Sequence, residues 1–144
     1  MKKLFLFCLV AATATTFLSC SKDDVSISKE NLVGRWEIYK YAEYDPEDGY
    51  GWDVDDEYGE KYGYRMIWEF RSDGTLQTIE MEYYNGKWNS EEWWLEYSLN
   101  GNKLKLWDEY ESESWTVEKL TSNELVLKFD WGDGDIDKAY FKRI

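Results

Sequence analysis

Histidine is absent from this chain, and its two cysteines, Cys8 and Cys20, both precede residue 21. The remainder therefore offers no thiol, no disulfide and no imidazole, which excludes Cys-His and Ser-His-Asp nucleophilic machinery and the usual zinc sites. An enzyme built here would have to run on carboxylates, tyrosine or lysine, and none is expected. Positive charge is scarce too: 17 lysines and arginines stand against 30 aspartates and glutamates, a formal net charge of −13. Nucleic acid carries the same sign, so it is excluded as a partner. Proline occurs once, at Pro46, so no strand downstream of it is interrupted by a residue that cannot donate to a ladder. Aromatic side chains, by contrast, are abundant: nine Trp, twelve Tyr and six Phe supply a large apolar area for one core.

The longest apolar run, Leu4 to Leu18, follows Met1-Lys2-Lys3 and precedes Leu18-Ser19-Cys20. A basic start, a short apolar stretch and small residues before a cut mark a secretory segment, and the run is too short to span a bilayer as a helix. With its cysteine after the cut, the segment resembles a bacterial lipoprotein signal. That resemblance implies removal of residues 1–19, acylation of Cys20 and anchoring in the cell envelope through the lipid alone. Ser21-Lys22-Asp23-Asp24 resembles the short acidic tag that sends some outer-membrane lipoproteins to the cell surface, or is a solvated linker. Residues 20–31 are expected to form the lipidated cysteine and an acidic tether, and 32–144 a single domain.

From Gly34 onward, short runs rich in Trp, Tyr, Ile, Val and Leu alternate with polar residues, which is strand periodicity. Strands are predicted near 35–44, 64–71, 75–84, 92–98, 103–109, 113–119, 124–131 and 135–143. Asp73-Gly74, Asn85-Gly86, Asn100-Gly101 and Gly132-Asp133-Gly134-Asp135 supply tight turns, so consecutive strands are antiparallel neighbours. Alternation assigns Trp68, Phe70, Ile79, Met81, Trp93, Leu95, Leu104, Leu106, Trp115, Val117, Leu125, Leu127, Phe129 and Phe141 to the inner face. Strands with one apolar face each suit an eight-stranded antiparallel up-and-down β-barrel, with a β-sandwich as the alternative.

Asn31-Leu32-Val33-Gly34-Arg35-Trp36 is similar to the Gly-x-Trp opening of lipocalins and of bacterial lipocalin-like lipoprotein domains. Trp68-x-Phe70 before Asp73-Gly74-Thr75 follows in the same order, as do Tyr97-x-Leu99-x-Gly101-Asn102-x-Leu104 and Trp115-x-Val117-x-Lys119-Leu120 before Glu124-Leu125-Val126-Leu127. The resemblance covers roughly residues 31–144. It implies a barrel closed at one end and often open to a small ligand at the other. On the residues themselves, Gly34 permits close backbone approach at the closed end, Trp36 can plug it and Arg143 can stack on the Trp36 ring.

The loops following odd-numbered strands then form the mouth: 45–63, 85–91, 110–112 and 132–134. Loop 45–63 carries Asp45, Glu47, Asp48, Asp53, Asp55, Asp56, Glu57 and Glu60 against Lys61 alone, interleaved with Tyr50, Trp52, Tyr58 and Tyr62. It is a lid or a solvated loop. Such a mouth repels anions, so fatty acids are poor candidates, and neutral or cationic amphiphiles or glycans are better ones. Trp68, Phe70, Trp93, Trp115 and Phe129 are the candidate ligand-lining residues, or they simply fill the barrel. Asp133-x-Asp135-x-Asp137 and Asp53-x-Asp55-x-Glu57 lack the turn glycine and the bidentate glutamate of a calcium loop, so no metal or other cofactor is expected. The expected function is non-catalytic binding; the alternative is a partner-binding surface lipoprotein with a filled barrel.

Overall fold

The computed structural model describes residues 25–144. The signal segment, Cys20 and the acidic Ser21-Asp24 run lie outside the described residues. Nine strands follow a short helix, α1 (Lys29–Leu32): β1 (Gly34–Tyr44), β2 (Trp52–Asp55), β3 (Tyr64–Phe70), β4 (Thr75–Tyr84), β5 (Lys87–Asn100), β6 (Lys103–Trp107), β7 (Ser112–Leu120), β8 (Glu124–Asp130) and β9 (Ile136–Arg143). All neighbours are antiparallel, and β1 pairs with β9 from Trp36↔Arg143 to Tyr44↔Ile136, so the sheet closes on itself. The architecture is an up-and-down barrel of eight strands, with β2 as an addition.

That addition was not legible as a strand; residues 52–55 fall in the expected loop. A bulge between Ile38 and Lys40 in the β1–β9 ladder bends β1. Below the bulge, residues 34–37 pair with β3; above it, residues 41–44 pair with β2. β2 and β3 thus share one edge of β1.

Hairpin chemistry fixes the other registers. Asn85 and Gly86 take φ of 53° and 78°, the two positive values that a two-residue turn between right-twisted strands requires. This turn starts β5 at Lys87, so residues 87–91, expected in a mouth loop, belong to the strand. The Asp73-Gly74 turn sets Leu76 opposite Phe70. Counting in twos from Leu76, Thr78 and Glu80 face inward, while Ile79 and Met81 lie on the outer face opposite Ile67 and Arg65. Their inward assignment is corrected accordingly. Ile67 is nonetheless only 2% exposed, because this outer wall carries its own cover, including the Arg65–Glu37 ion pair.

The lower half of the barrel is packed solid. Trp36, Phe70, Leu76, Leu104, Leu125, Leu127 and Phe141 are fully buried there. Above them Trp68 packs its ring against Phe70, Trp115 and Phe141, with centroids 6.2, 6.1 and 5.1 Å away. Trp115 in turn meets Phe129 at 5.1 Å. Burial of each Phe stabilises the fold by about 2–3 kcal/mol, and the edge-on ring geometry adds about 1 kcal/mol per pair.

The closed end is sealed by residues expected to form a tether. Val25 and Ile27 pack against the core, and the Val25 N–H donates to the Leu120 carbonyl at 3.3 Å. Ser28 caps α1 by accepting from the Asn31 N–H, and Leu32 is buried beneath the barrel. The alternation Val25-Ser26-Ile27-Ser28 has an apolar side to bury, which a solvated linker lacks.

Candidate functional site

The candidate residues sort into three levels. At the base, the Trp36 indole N–H donates to the Leu32 carbonyl at 2.8 Å. The Arg143 guanidinium lies 4.1 Å from the Trp36 ring centroid and donates to the carbonyls of Asn31, Val33 and Ser122. Gly34 sits at φ +138°, and a Cβ there would collide with that guanidinium. Gly34, Trp36 and Arg143 form one latch that ties both ends of the barrel domain together.

At the middle level are three of the five candidate lining residues, with Phe70 just below them. Phe70 is 1% exposed and belongs to the base packing. Trp68, Trp115 and Phe129 form the aromatic layer that closes the interior from above. Trp93, the fifth, is 45% exposed, on the inner face of β5. Beside it Met66, Trp68, Thr78 and Glu80 outline a small hollow of about 180 Å³. Among the described residues, the hollow at this level is thus smaller than a site for a drug-sized ligand.

The third level is the mouth. Above the β1 bulge the inner face changes from apolar to acidic. Glu43 pairs with Asp53 of β2 on one side and Asp137 of β9 on the other, which sets three carboxylates in a row across three strands. Like charges opposite one another weaken a sheet. The row forms part of a cleft of about 570 Å³ with Tyr44, Asp45, Asp48, Tyr50, Trp52, Trp131 and Asp135. An adjoining hollow of about 250 Å³ extends it to Tyr41, Asp55 and Tyr58.

Hydrogen bonds hold the cleft in shape. Asp137 Oδ2 accepts from the Tyr41 hydroxyl and from the Trp131 indole N–H, both at 2.9 Å. Burial, the Asp137 bond and nearby carboxylates push the Tyr41 hydroxyl far above its ordinary pKa, so it stays a donor. Tyr58 is raised as well, first by burial and then by Asp55. Asp135 is held above the ordinary carboxylate value by partial desolvation, then by Asp133, Asp45, Glu47 and Asp137 around it. After burial, the crowding of carboxylates at this end of the barrel is the second cause of the Asp135 shift. On the outer face, Lys138 is ion-paired with Glu118 at 2.7 Å and its Nζ lies 5.3 Å from the Trp52 ring centroid.

Of the mouth residues singled out in sequence, Tyr50 and Trp52 line the main cleft and Tyr58 the adjoining hollow. Glu43, Tyr44, Trp131 and Asp137 were missed as site residues. The alternate acids from Asp133 to Asp137 carry a signal of the site in the sequence, though their spacing points first to a calcium loop. Among the described residues, no three carboxylates converge closely enough to hold a metal ion.

A second groove, of about 650 Å³, lies on the outer wall where β5 meets β6, lined by Thr75, Trp94, Leu95, Glu96, Trp107, Asp108, Glu109 and Tyr110. Arg71 and Lys105 lie over the Trp94 and Trp107 rings, 4.5 and 5.7 Å from their centroids.

A family model described as a lipocalin-like domain matches residues 32–127. Two solved structures of bovine odorant binding protein are similar in fold, one in complex with undecanal and one with a selenium-containing odorant. Each is 14% identical over 85% of this chain; the shares of their own chains are 77% and 76%, with TM-scores of 0.44 and 0.45. Comparison with curated proteins finds no match.

Proposed function

Because the chain belongs to the lipocalin-like domain family, whose barrels serve binding rather than catalysis, we propose that it is a non-catalytic binding protein whose mouth takes a small organic cation. The observation that carries this reading is the row Asp53, Glu43, Asp137 on the inner face of three adjacent strands. A fold keeps like charges side by side at a cost in stability when a ligand of opposite charge uses them. A compact metal ion needs ligands that converge, and these do not. An ammonium group carried on an organic body needs only carboxylates nearby and aromatic faces to lie against, and Tyr50 and Trp131 supply such faces beside the row.

The filled lower barrel limits what such a ligand carries with it. Its cationic head belongs in the mouth, and any apolar part must be short or lie along the rim. Of the ligand classes the sequence admits, this favours a cationic amphiphile or amine over a neutral lipid or glycan. The same filled interior supports the alternative of a surface lipoprotein that binds protein partners and no small molecule.

The reading places the domain in the bacterial envelope. Residues 1–19 act as the signal and Cys20 carries the lipid, which anchors the protein in the outer membrane with the base latch nearest the anchor and the mouth facing away. Labelling with a radioactive fatty acid tests the anchor; incorporation should disappear in Cys20→Ala.

The ligand test is tryptophan emission and calorimetry of the purified protein titrated with spermidine, dodecyltrimethylammonium and dodecanoate. Both cations should saturate at micromolar concentrations, weaken with salt, and lose about tenfold in affinity in Glu43→Gln or Asp137→Asn; dodecanoate should not bind. Flat cation titrations, or equal binding of dodecanoate, would overturn the cation reading.

A further inference from the structure

β5 is longer than the wall it belongs to. Residues 87–95 pair with β4, from Lys87↔Tyr84 to Leu95↔Leu76, but β6 joins β5 only from Glu96↔Trp107 onward. Among the described residues, nothing pairs with the second edge of residues 87–95. The direction of its backbone groups follows from the turn. Asn85-Gly86 makes Tyr84 and Lys87 a hydrogen-bonded pair, and the Tyr97 N–H donates to the Gly74 carbonyl on the same side. Odd-numbered residues of β5 thus use their backbone groups on the β4 side. Trp88, Ser90, Glu92 and Trp94 aim theirs at open solvent.

Exposed edges are usually protected by proline, by a bulge, by being short or by charged side chains, and the acids Glu91 and Glu92 are the device present here, which repels a strand of like charge and admits a basic one. This edge has no proline, its pairing with β4 runs without a register shift, and it extends for about 30 Å at the rise of an antiparallel strand. Its surroundings select the occupant. Glu91 and Glu92 lie along it, and Glu96, Asp108 and Glu109 line the groove at its foot with the Trp94 and Trp107 rings. A second copy of the chain would bring the same acids and a net charge of −13 to meet them. A strand rich in lysine or arginine would meet opposite charge at Glu91 and Glu92 midway along the edge and at Glu96, Asp108 and Glu109 at its foot.

We propose that the open edge of β5 accepts a basic, extended peptide segment as an added strand, its backbone pairing with Trp88, Ser90, Glu92 and Trp94. The site lies on the outer wall and is independent of the mouth cleft.

The probe is a capped, fluorescent peptide of nine residues alternating lysine and valine, added to the full chain and followed by anisotropy and by amide exchange. Binding should saturate, and exchange should slow at Trp88, Ser90, Glu92 and Trp94. N-methylation of one alternate set of peptide amides should weaken binding at least tenfold, while methylation of the other set changes it less than twofold. Ser90→Pro, which removes a donor on the open side only, should also weaken binding at least tenfold with an unchanged circular dichroism spectrum. An alternating glutamate and valine peptide should not bind. The proposal is overturned by absence of binding, by binding indifferent to both methylation patterns, which is charge adsorption alone, or by a dimer in sedimentation that Ser90→Pro dissolves, which gives the edge to a second copy. If Ser90→Pro does not fold, the methylated peptides and the exchange pattern decide.

Discussion

Replacing Arg143 by alanine should remove a large share of the stability of the domain, although the residue is the penultimate one of the chain. Its guanidinium donates to three backbone carbonyls, Asn31 and Val33 ahead of β1 and Ser122 in the turn before β8, at 2.7, 3.0 and 2.8 Å. It also covers the Trp36 ring at 4.1 Å. Water can reach part of this end, so each hydrogen bond contributes about 1 kcal/mol net. The stacked cation contributes about 1 kcal/mol more. The total is about 3–4 kcal/mol, to be set against the 5–15 kcal/mol that holds a typical domain. In urea, with a slope of about 2 kcal/mol per molar, the midpoint of Arg143→Ala should fall by about 1.5–2 M. Arg143→Lys should recover only about 1 kcal/mol, because an ammonium reaches one carbonyl and does not stack as a plane. The assay is equilibrium unfolding followed by tryptophan emission. A loss below about 1 kcal/mol in Arg143→Ala, or full recovery in Arg143→Lys, would refute the latch.

Gly34→Ala should cost about 2–3 kcal/mol, from the positive φ and from the collision with Arg143; in a double-mutant cycle with Arg143→Ala the two losses should fall short of additive, and strict additivity would separate them. Glu37 is pushed up by burial, but Arg65 and Lys142 outweigh this and leave its carboxyl below the ordinary 4.5. Its contribution is therefore present above pH 4.5 and lost as pH falls through the lower folded value, so Glu37→Gln should be less stable than the parent at pH 7 by about 1–3 kcal/mol and converge with it in acid. Asp135 is shifted the other way: its carboxylate is disfavoured in the fold, so stability falls as pH rises past 3.8 through its raised value. Asp135→Asn should accordingly raise the melting temperature at pH 7 and leave it unchanged below pH 3.8. Trp68→Ala should cost about 3–4 kcal/mol in the same urea assay, since the ring contacts Phe70, Trp115 and Phe141 and leaves a cavity behind.

Most of the barrel could be read in the sequence because its hairpins are local. Asp73-Gly74 and Asn85-Gly86 each set a register by themselves, as does Gly101, though its turn is Gly101-Asn102, with Asn100 paired to Lys103, rather than the expected Asn100-Gly101; Trp68, Phe70, Leu104, Leu125 and Phe141 mark inner faces by alternation. The failures occur where a non-local partner decides. Trp52-Asp53-Val54-Asp55 alternates, but it forms a strand only because β1 turns a free edge toward it above the bulge. Nothing in Ile38-Tyr39-Lys40 announces that bulge. Residues 87–91 lack an apolar face altogether, so only the turn before them carries the strand. Ile79 and Met81 look like core residues, and their outward placement follows from the register set by Leu76, five residues before Met81. The candidate site was legible as an acidic and aromatic mouth, but not as a row of carboxylates, because Glu43, Asp53 and Asp137 lie on three different strands.

The bulge in β1 also divides the molecule mechanically. Below it, β1 lies between β3 and β9 with a solid aromatic interior behind it; above it, the same strand stays paired with β9 but has only the four-residue β2 on its other edge and an acidic row on its inner face. The rim can therefore breathe while the base stays shut. Amides of residues 41–44 and 52–55 should exchange with solvent through local openings that leave Trp36 and Phe141 untouched, and a ligand gathered at the carboxylate row would act as the clasp that closes them.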